Sequence, residues 1–407
     1  MTIQQTYDLR ELDATLFNQV RDTIAFGRDA RACVIDNADG KLTVEFTDAE
    51  AFRYVDAFVA NAKAMQPRLR SKVLKATGAT SAPNSDIDQE IAKSPDVYQI
   101  GDGLVGLRGR LLQLFRFFEA EFLSLSRQYD ADENYYPALV PIELLEELDY
   151  FSHFPQQVTF CSHFCEDLPL LEAVAARVKK EGGVLLPEDR TKVSTAAHVL
   201  TPAVCLPCYR QYRNAVLPEG DRLVVTMQNH VFRYEGTNFR PLRRLWDFTV
   251  RDIVFFGTND AMVRLRAAVM EKAFALCQEL GLAAKIQLAN DPFFLSESRS
   301  KRVYQRMGDV KYELVLALPQ RGEDLAAASF NLHRNFYTRA FNIRFASGAY
   351  AESACMGFGI ERWVYGFLSQ KGLEETAWPQ RMIAYVAGAT ANSASCSRVL
   401  RAARGPG

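Results

Sequence analysis

"ESACMGFGIERW", residues 352–363, carries two glycines two positions apart, an arginine three positions later and a cysteine just ahead of them. It lacks the Lys-Ser/Thr ending of a phosphate loop and the third glycine of a dinucleotide-binding turn. Glycines at this spacing let backbone pack closely where a strand gives way to a helix, and "GFGIERWVYGFLSQKG" reads as a helix that starts at them. Arg362 then sits one turn into that helix, facing back to the sheet, where a guanidinium can stack on a base or hold a phosphate. About a hundred residues upstream lies "FRYEGTNFRPLRRLWDFTVRDIVFFG", 232–257, which reads as strand, basic loop, strand. A side-chain period of two puts Arg233 and Glu235 on one face, and likewise Phe248 and Asp252. Between them lie Arg240, Arg243 and Arg244. Such a face suits a nucleoside triphosphate; the plainer alternative is a solvated hairpin with surface ion pairs.

Taken together, the two stretches resemble motifs 2 and 3 of class II aminoacyl-tRNA synthetases. The apolar stripe of a helix expected over 103–129, followed by "YYPALVPIELL" with Pro141, resembles motif 1, the dimer motif; a core helix is the alternative for that stripe. The pattern is most similar to seryl-tRNA synthetases, with "KYELVLALP" and "DLAAASFNLHRNF" standing at that family's Lys-Tyr-acid and Ser-Asn strands. "YFSHFPQQVTF", "CMGFGIERWVYGFL" and "GLEETAWP" look more like the truncated homologues of the methanogen-type seryl enzymes, the amino acid:[carrier protein] ligases. The resemblance covers about 101–382.

It implies a fold and a site. The fold is α+β: a class II synthetase-like antiparallel sheet flanked by helices, preceded by a small N-terminal α/β domain. The site implied is zinc on Cys205, Asp252 and Cys355, one ion per subunit. Two thiolates and a carboxylate suit Zn²⁺, and three protein ligands leave a fourth position open. The family's middle ligand is Glu, so Asp252 is one methylene short. In "TPAVCLPCY" Cys208 competes with Cys205, and a strand there would point the two to opposite faces. "CSHFC", with Cys161, His163 and Cys165, is a rival cluster whose spacing is tight for zinc. His198, His230 and His333 read as packing or hydrogen-bonding residues.

By the same resemblance, Arg233 holds the α-phosphate of ATP and the attacking carboxylate. Glu235 reads the adenine edge, Phe248 stacks on the ring, and Arg362 covers its other face and the triphosphate. Arg244 takes the γ-phosphate. Asp324 holds Mg²⁺, with Glu323 as the near alternative. The implied chemistry is adenylation of a small amino acid (glycine, alanine or serine) and transfer to an acceptor. A tRNA acceptor calls for a recognition arm, yet residues 1–100 carry 12 Lys or Arg against 15 Asp or Glu. They show no heptad run, and their one basic run, "RLRSKVLK" at 68–75, reads as a solvated helix face. The carrier-protein phosphopantetheine thiol is therefore the favoured acceptor. A seryl-type tRNA synthetase and a non-catalytic paralogue acting as a binding module are the alternatives; four retained motif residues, Arg233, Glu235, Phe248 and Arg362, argue against the latter.

Bulk properties fit an ordinary globular protein. Of 407 residues 48% are apolar and 24% charged, with a net charge of −1 that does not mark a nucleic-acid binder. Neither a membrane span nor a signal peptide is read, so a cytoplasmic location, with cysteines kept reduced, is expected, and the motif 1 resemblance implies a homodimer. The expected division is 1–85 as the N-terminal domain, 101–383 as the catalytic domain and 384–407 as a flexible tail. "ARACVIDN" and "KLTVEFTD" read as strands, "DAEAFRYVDAFVANAKAM" as an amphipathic helix and "KATGATSAPNSD" as a linker.

Overall fold

The computed structural model describes residues 3–12, 30–36, 40–46, 72–78, 86–220, 222–234, 239–289 and 310–393, with single positions in 17–24 and 53–63. The strands are β1 (Ile3–Asp8), β2 (Ala30–Asp36), β3 (Lys41–Phe46), β4 (Val73–Ala76), β5 (Val97–Gly101), β6 (Leu104–Leu107), β7 (Asp132–Asn134), β8 (Leu139–Pro141), β9 (Thr159–Cys161), β10 (His198–Leu200), β11 (Val216–Leu217), β12 (Leu223–Phe232), β13 (Asp247–Gly257), β14 (Ala284–Leu288), β15 (Lys311–Leu318), β16 (Glu323–Arg334), β17 (Arg344–Phe345) and β18 (Glu352–Gly359). The helices used below are α1 (Ile87–Lys93), α2 (Gly109–Arg127), α3 (Ile142–Glu146), α4 (Leu168–Lys180), α5 (Leu206–Gln211), α6 (Asn259–Glu279), α7 (Phe336–Ala340), α8 (Ile360–Lys371) and α9 (Gln380–Ser393).

One sheet of eight strands organises the chain, in the order β4-β14-β15-β16-β18-β13-β12-β7. Every neighbouring pair is antiparallel except β12 with β7. This is the expected antiparallel sheet flanked by helices. Alternation along the strands gives the sheet two different faces. Ile253, Phe255, Phe330, Met356 and Phe358 point to the face covered by α2, α6, α8 and α9. On this side Phe122 of α2 stacks on Phe358, with centroids 4.2 Å apart, and Trp363 of α8 closes over both. Val225, Met227, Val254, Phe256 and Cys355 point to the other face, against α3 and α5.

The broad apolar stripe of α2 is thus spent inside the chain: Leu111, Leu114, Phe117, Phe118 and Phe122 are all buried against the sheet, α8 and α9. The helix also starts at Gly109 rather than at 103, because Leu104–Leu107 pairs with Val97–Gly101 as a hairpin. Its start is set from outside the local pattern. Asp96 accepts a hydrogen bond from the Arg110 N–H, and its carboxylate occupies the place a β-carbon of Gly109 (φ 54°) would take.

The N-terminal unit has its own small antiparallel sheet, β1-β3-β2. Its core is built from Tyr7, Leu9, Leu42 and Val44 of the sheet side and from Val20, Ile24, Val55, Val59 and Ala62, which lie at helical positions. Two sequence expectations shift at its border. Val73–Ala76, read with the N-terminal domain, is an exposed edge strand of the large sheet, so the described end of the basic run is a strand and not a helix face. Residues 79–85 of the expected linker lie outside the described residues. At the other end, Gln380–Ser393 is helical and buries Met382 and Val386 in the main core, so the tail expected from 384 begins as an ordered helix. Residues 394–407 lie outside the described residues.

Candidate functional site

Motif register builds the site. Across the sheet, Asp252 of β13 sits opposite Gly357 of β18, Gly357 opposite Ser329 of β16, and Ser329 opposite Glu313 of β15. The neighbouring row is Val254, Cys355, Asn331 and Lys311. Directly opposed residues share a face, so polar and ligating side chains from four strands converge on one side. There they line a cavity of about 400 Å³ together with Cys205, Arg233, Arg244, Phe248 and Arg362. Seven of the nine residues singled out in the sequence therefore line one cavity. Asp324 lines an adjoining one, about 140 Å³, that shares Arg244, Ala326 and Arg362 with the first. Glu235 lies outside the described residues.

The metal trio is brought together by three different elements. Cys205 caps α5, Asp252 lies within β13 and Cys355 within β18. One ligand atom from each lies within 4.8 Å of the others, and all three residues are buried; no other such group occurs among the described residues. The "CSHFC" cluster is thus not assembled as a site. Cys208 lies outside the trio, and the segment is helical rather than extended, so the two cysteines are set apart by a helical turn and not by strand alternation.

The residues fit a zinc ion. Burial pushes the Asp252 carboxyl up to about 6. The hydrogen bond to Cys205, then burial, pushes the Cys355 thiol up. A buried set of two thiols and a carboxyl is ionised by a divalent cation bound among them. Gly357 shows the same fit sterically. A β-carbon there would come within 2.7 Å of Asp252 Oδ1 and 3.3 Å of Ser329 Oγ. The first glycine of the pair therefore clears the space of the Asp252 carboxylate, a more specific role than close strand–helix packing. Gly359, the N-cap of α8, meets nothing nearer than 3.8 Å, so the room it leaves belongs to the cavity.

The arginines at the other end of the cavity are held by backbone anchors. Arg233 follows directly on the last residue of β12, so it is not a strand residue as expected; its Nε donates to Pro202 O at 2.8 Å. Its guanidinium lies over the Phe248 ring, 5.6 Å from the centroid. Arg362 donates from Nε to Arg243 O and from a terminal nitrogen to Ala326 O, both at 3.2 Å. The loop carrying Arg240, Arg243 and Arg244 is a tight turn closed by Arg244 N–H to Arg240 O, 2.9 Å. At its tip Leu242 takes φ 58°, a costly conformation for leucine, and is held there by burying its side chain in the main core. Asp324 pairs with Lys285 at 3.0 Å, and Glu323 with Arg243 at 3.2 Å.

Several site residues gave little signal in the sequence. Lys311 and Glu313 form a 3.3 Å pair at the cavity wall, on the strand that had served only as a family landmark. Two charged residues two apart in an apolar strand were the available clue. Glu361 is buried and receives the Thr249 N–H at 2.9 Å, where the β13–β18 ladder stops as β18 turns into α8. Burial pushes its carboxyl up to about 7. His230 pairs with Asp247 at 2.6 Å. His333 lines the cavity and packs edge-on to Tyr337.

No protein-family model matches the chain. Curated relatives do. A type-2 serine–tRNA ligase of Methanothermobacter thermautotrophicus is 27% identical over 247 residues, spanning 60% of this chain and 48% of that protein. An amino acid–[acyl-carrier-protein] ligase 1 of Bradyrhizobium diazoefficiens is 28% identical over 264 residues, 65% of this chain and 78% of that one. Among solved structures, the M. kandleri SerRS in complex with A. aeolicus tRNASec superposes with a TM-score of 0.70 at 23% identity, over 90% of this chain and 75% of that one. The first of these relatives is thus matched over about half its length. The chain is homologous to type-2 seryl-tRNA synthetases and to an amino acid–[acyl-carrier-protein] ligase, and its fold is that of the class II synthetases.

Proposed function

We propose that the chain joins a small amino acid (glycine, alanine or serine) to ATP, and passes the aminoacyl group to the phosphopantetheine thiol of a carrier protein. The observation that carries this reading is a single cavity lined both by Arg233, Phe248 and Arg362 and by the Cys205, Asp252 and Cys355 trio. Cys355 and Gly359 are four residues apart on β18, about 13 Å of strand, so the cavity extends from the trio to the arginine of α8. That is room for an amino acid and a nucleotide in line.

In the first step an oxygen of the amino-acid carboxylate attacks the α-phosphorus, the bond to the β-phosphate oxygen breaks, and pyrophosphate leaves. The step uses no protein nucleophile; it needs alignment and charge neutralisation. Arg233 holds the carboxylate and α-phosphate, Phe248 and Arg362 sandwich the adenine, and Arg244 holds the γ-phosphate. Glu235 reads the adenine edge. Asp324 would hold Mg²⁺, with Glu323 as the near alternative. Zinc, when bound by the trio, supplies a Lewis-acidic position for the substrate amino group. In the second step the acceptor sulfur attacks the carbonyl carbon and AMP leaves.

The acceptor is favoured by two features. The carrier-ligase relative matches 78% of its length against this chain, and residues 1–100 carry fewer basic than acidic residues. A second reading, transfer to tRNA, is favoured by the structural match to the M. kandleri SerRS, which spans 90% of this chain and so reaches beyond residues 101–383. We place the enzyme in the cytoplasm as a homodimer, with sedimentation of the purified chain as the test of its assembly. Charging assays with holo carrier proteins and with total tRNA, run side by side on one adenylating preparation, decide the acceptor. Thioester on the carrier and no ester on tRNA supports the reading; the reverse overturns it.

A further inference from the structure

Among the described residues, the second cavity is walled by five arginines, Arg21, Arg240, Arg243, Arg244 and Arg362, and by two carboxylates, Glu323 and Asp324. Four of the arginines belong to the motifs already described. Arg21 does not: it comes from the N-terminal unit, where its neighbours Val20 and Ile24 are fully buried in that unit's own core. Its side chain is only 8% exposed and reaches Glu323 Oε1 at 3.4 Å, while Arg243 holds Oε2 of the same carboxylate at 3.2 Å. Asp324 is turned to Lys285. Among the described residues the wall therefore brings more cations than carboxylates around a small cavity. Arg240 registers that crowding: burial and the charge of Arg243 push it down, with Arg321 and Arg21 adding to the effect and Asp88 opposing it. Buried like charges of this kind are relieved by an anion with several oxygens, and guanidinium forks match phosphate oxygens in pairs.

The first cavity supplies the direction from which that anion comes. Arg244 and Arg362 line both cavities. A nucleotide with its base between Phe248 and Arg362 and its α-phosphate at Arg233 would bring its terminal phosphates round to Arg244, which also walls the second cavity. We infer that Arg21 is a phosphate-binding residue supplied by the N-terminal unit, contacting the β- and γ-phosphates of ATP and the pyrophosphate that leaves. The inference rests on the adenylation reading of the first cavity, and it makes the N-terminal unit a working part of the nucleotide site.

The test is direct binding of ATP, pyrophosphate and AMP, each with Mg²⁺, to the full chain and to its Arg21→Ala, Arg21→Gln and Arg21→Lys variants. AMP lacks the phosphates assigned to Arg21. Arg21→Ala should weaken ATP and pyrophosphate by about tenfold or more, the worth of a lost charge-assisted contact, and leave AMP unchanged. Arg21→Lys should recover most of the loss. Arg21→Gln removes the charge and keeps most of the volume, so it serves if the alanine variant fails to fold. Equal weakening of all three ligands would show that Arg21 only braces the N-terminal unit, and unchanged ATP and pyrophosphate affinity would remove it from the site. Either result overturns the inference while leaving adenylation intact. A wild-type chain that binds none of the three would instead refute the adenylation reading itself.

Discussion

Gly357→Ala probes the site with one carbon atom. Gly357 is not among the residues with positive φ, so alanine imposes no backbone penalty. In an otherwise open place the change would add about 0.4–1 kcal/mol of stability by restricting the unfolded chain. Here the new β-carbon arrives 2.7 Å from Asp252 Oδ1 and 3.3 Å from Ser329 Oγ. To restore van der Waals separation the carboxylate must retreat by about 0.5 Å or more. Metal–ligand distances tolerate about 0.2 Å. The retreat is not cheap, because Asp252 is buried and the sheet behind it is closed by hydrogen bonds to β12 and β18. The expected result is a folded protein whose zinc affinity falls by about 10–100-fold. Its amino-acid activation should fall by about 100-fold, the usual effect of a misplacement approaching 1 Å. Zinc competition with a chelator and ATP–pyrophosphate exchange read the two quantities, with thermal unfolding as the control on folding. Gly359→Ala, with no atom nearer than 3.8 Å, should keep wild-type zinc affinity. Gly357→Ala with unchanged zinc affinity and unchanged exchange would refute the role given to Asp252.

Three further outcomes follow from the same geometry. Cys355→Ala should lose zinc and activation together, whereas Arg362→Ala should keep zinc and lose ATP turnover; metal analysis beside exchange rates separates them. Arg251 is buried and bound by the partly exposed Glu119 of α2 and Glu133 of β7, each at 3.0 Å, so Arg251→Ala should cost about 1.5–3 kcal/mol in denaturant unfolding. Glu361 has its carboxyl raised by burial to about 7 from an ordinary 4.5. The folded state therefore holds a proton that the unfolded state releases between those values, and stability contributed by Glu361 falls as pH rises through that window. Glu361→Gln should flatten the loss relative to wild type by up to about 3 kcal/mol, read from unfolding curves at pH 4.5, 6 and 7.5.

What could be read from the chain, and what could not, divides along a physical line. The cysteine–aspartate–cysteine set came from the family resemblance alone, its members lying far apart in the chain, whereas the strands of both motifs and the helix that begins after Gly359 were legible because each depends on local period. The start of α2 at Gly109 was not, since it is set by Asp96 thirteen positions upstream. The strand–helix character of the Cys205 segment was misread for a related reason: "CLPCY" has no period of its own, and Cys205 is fixed by capping α5. Val73–Ala76 carries an exposed, charged surface that reads as solvated, and only pairing with β14 makes it a strand. Arg21 lies outside every motif. Nothing short of the folded chain brings it to Glu323.

The measurement that bears most directly on the account is amino-acid-dependent ATP–pyrophosphate exchange, run across the common amino acids on protein of known zinc content. The account predicts exchange with one small amino acid, lost when zinc is removed and regained when it is restored. Zinc-loaded protein that exchanges with none of them would contradict it.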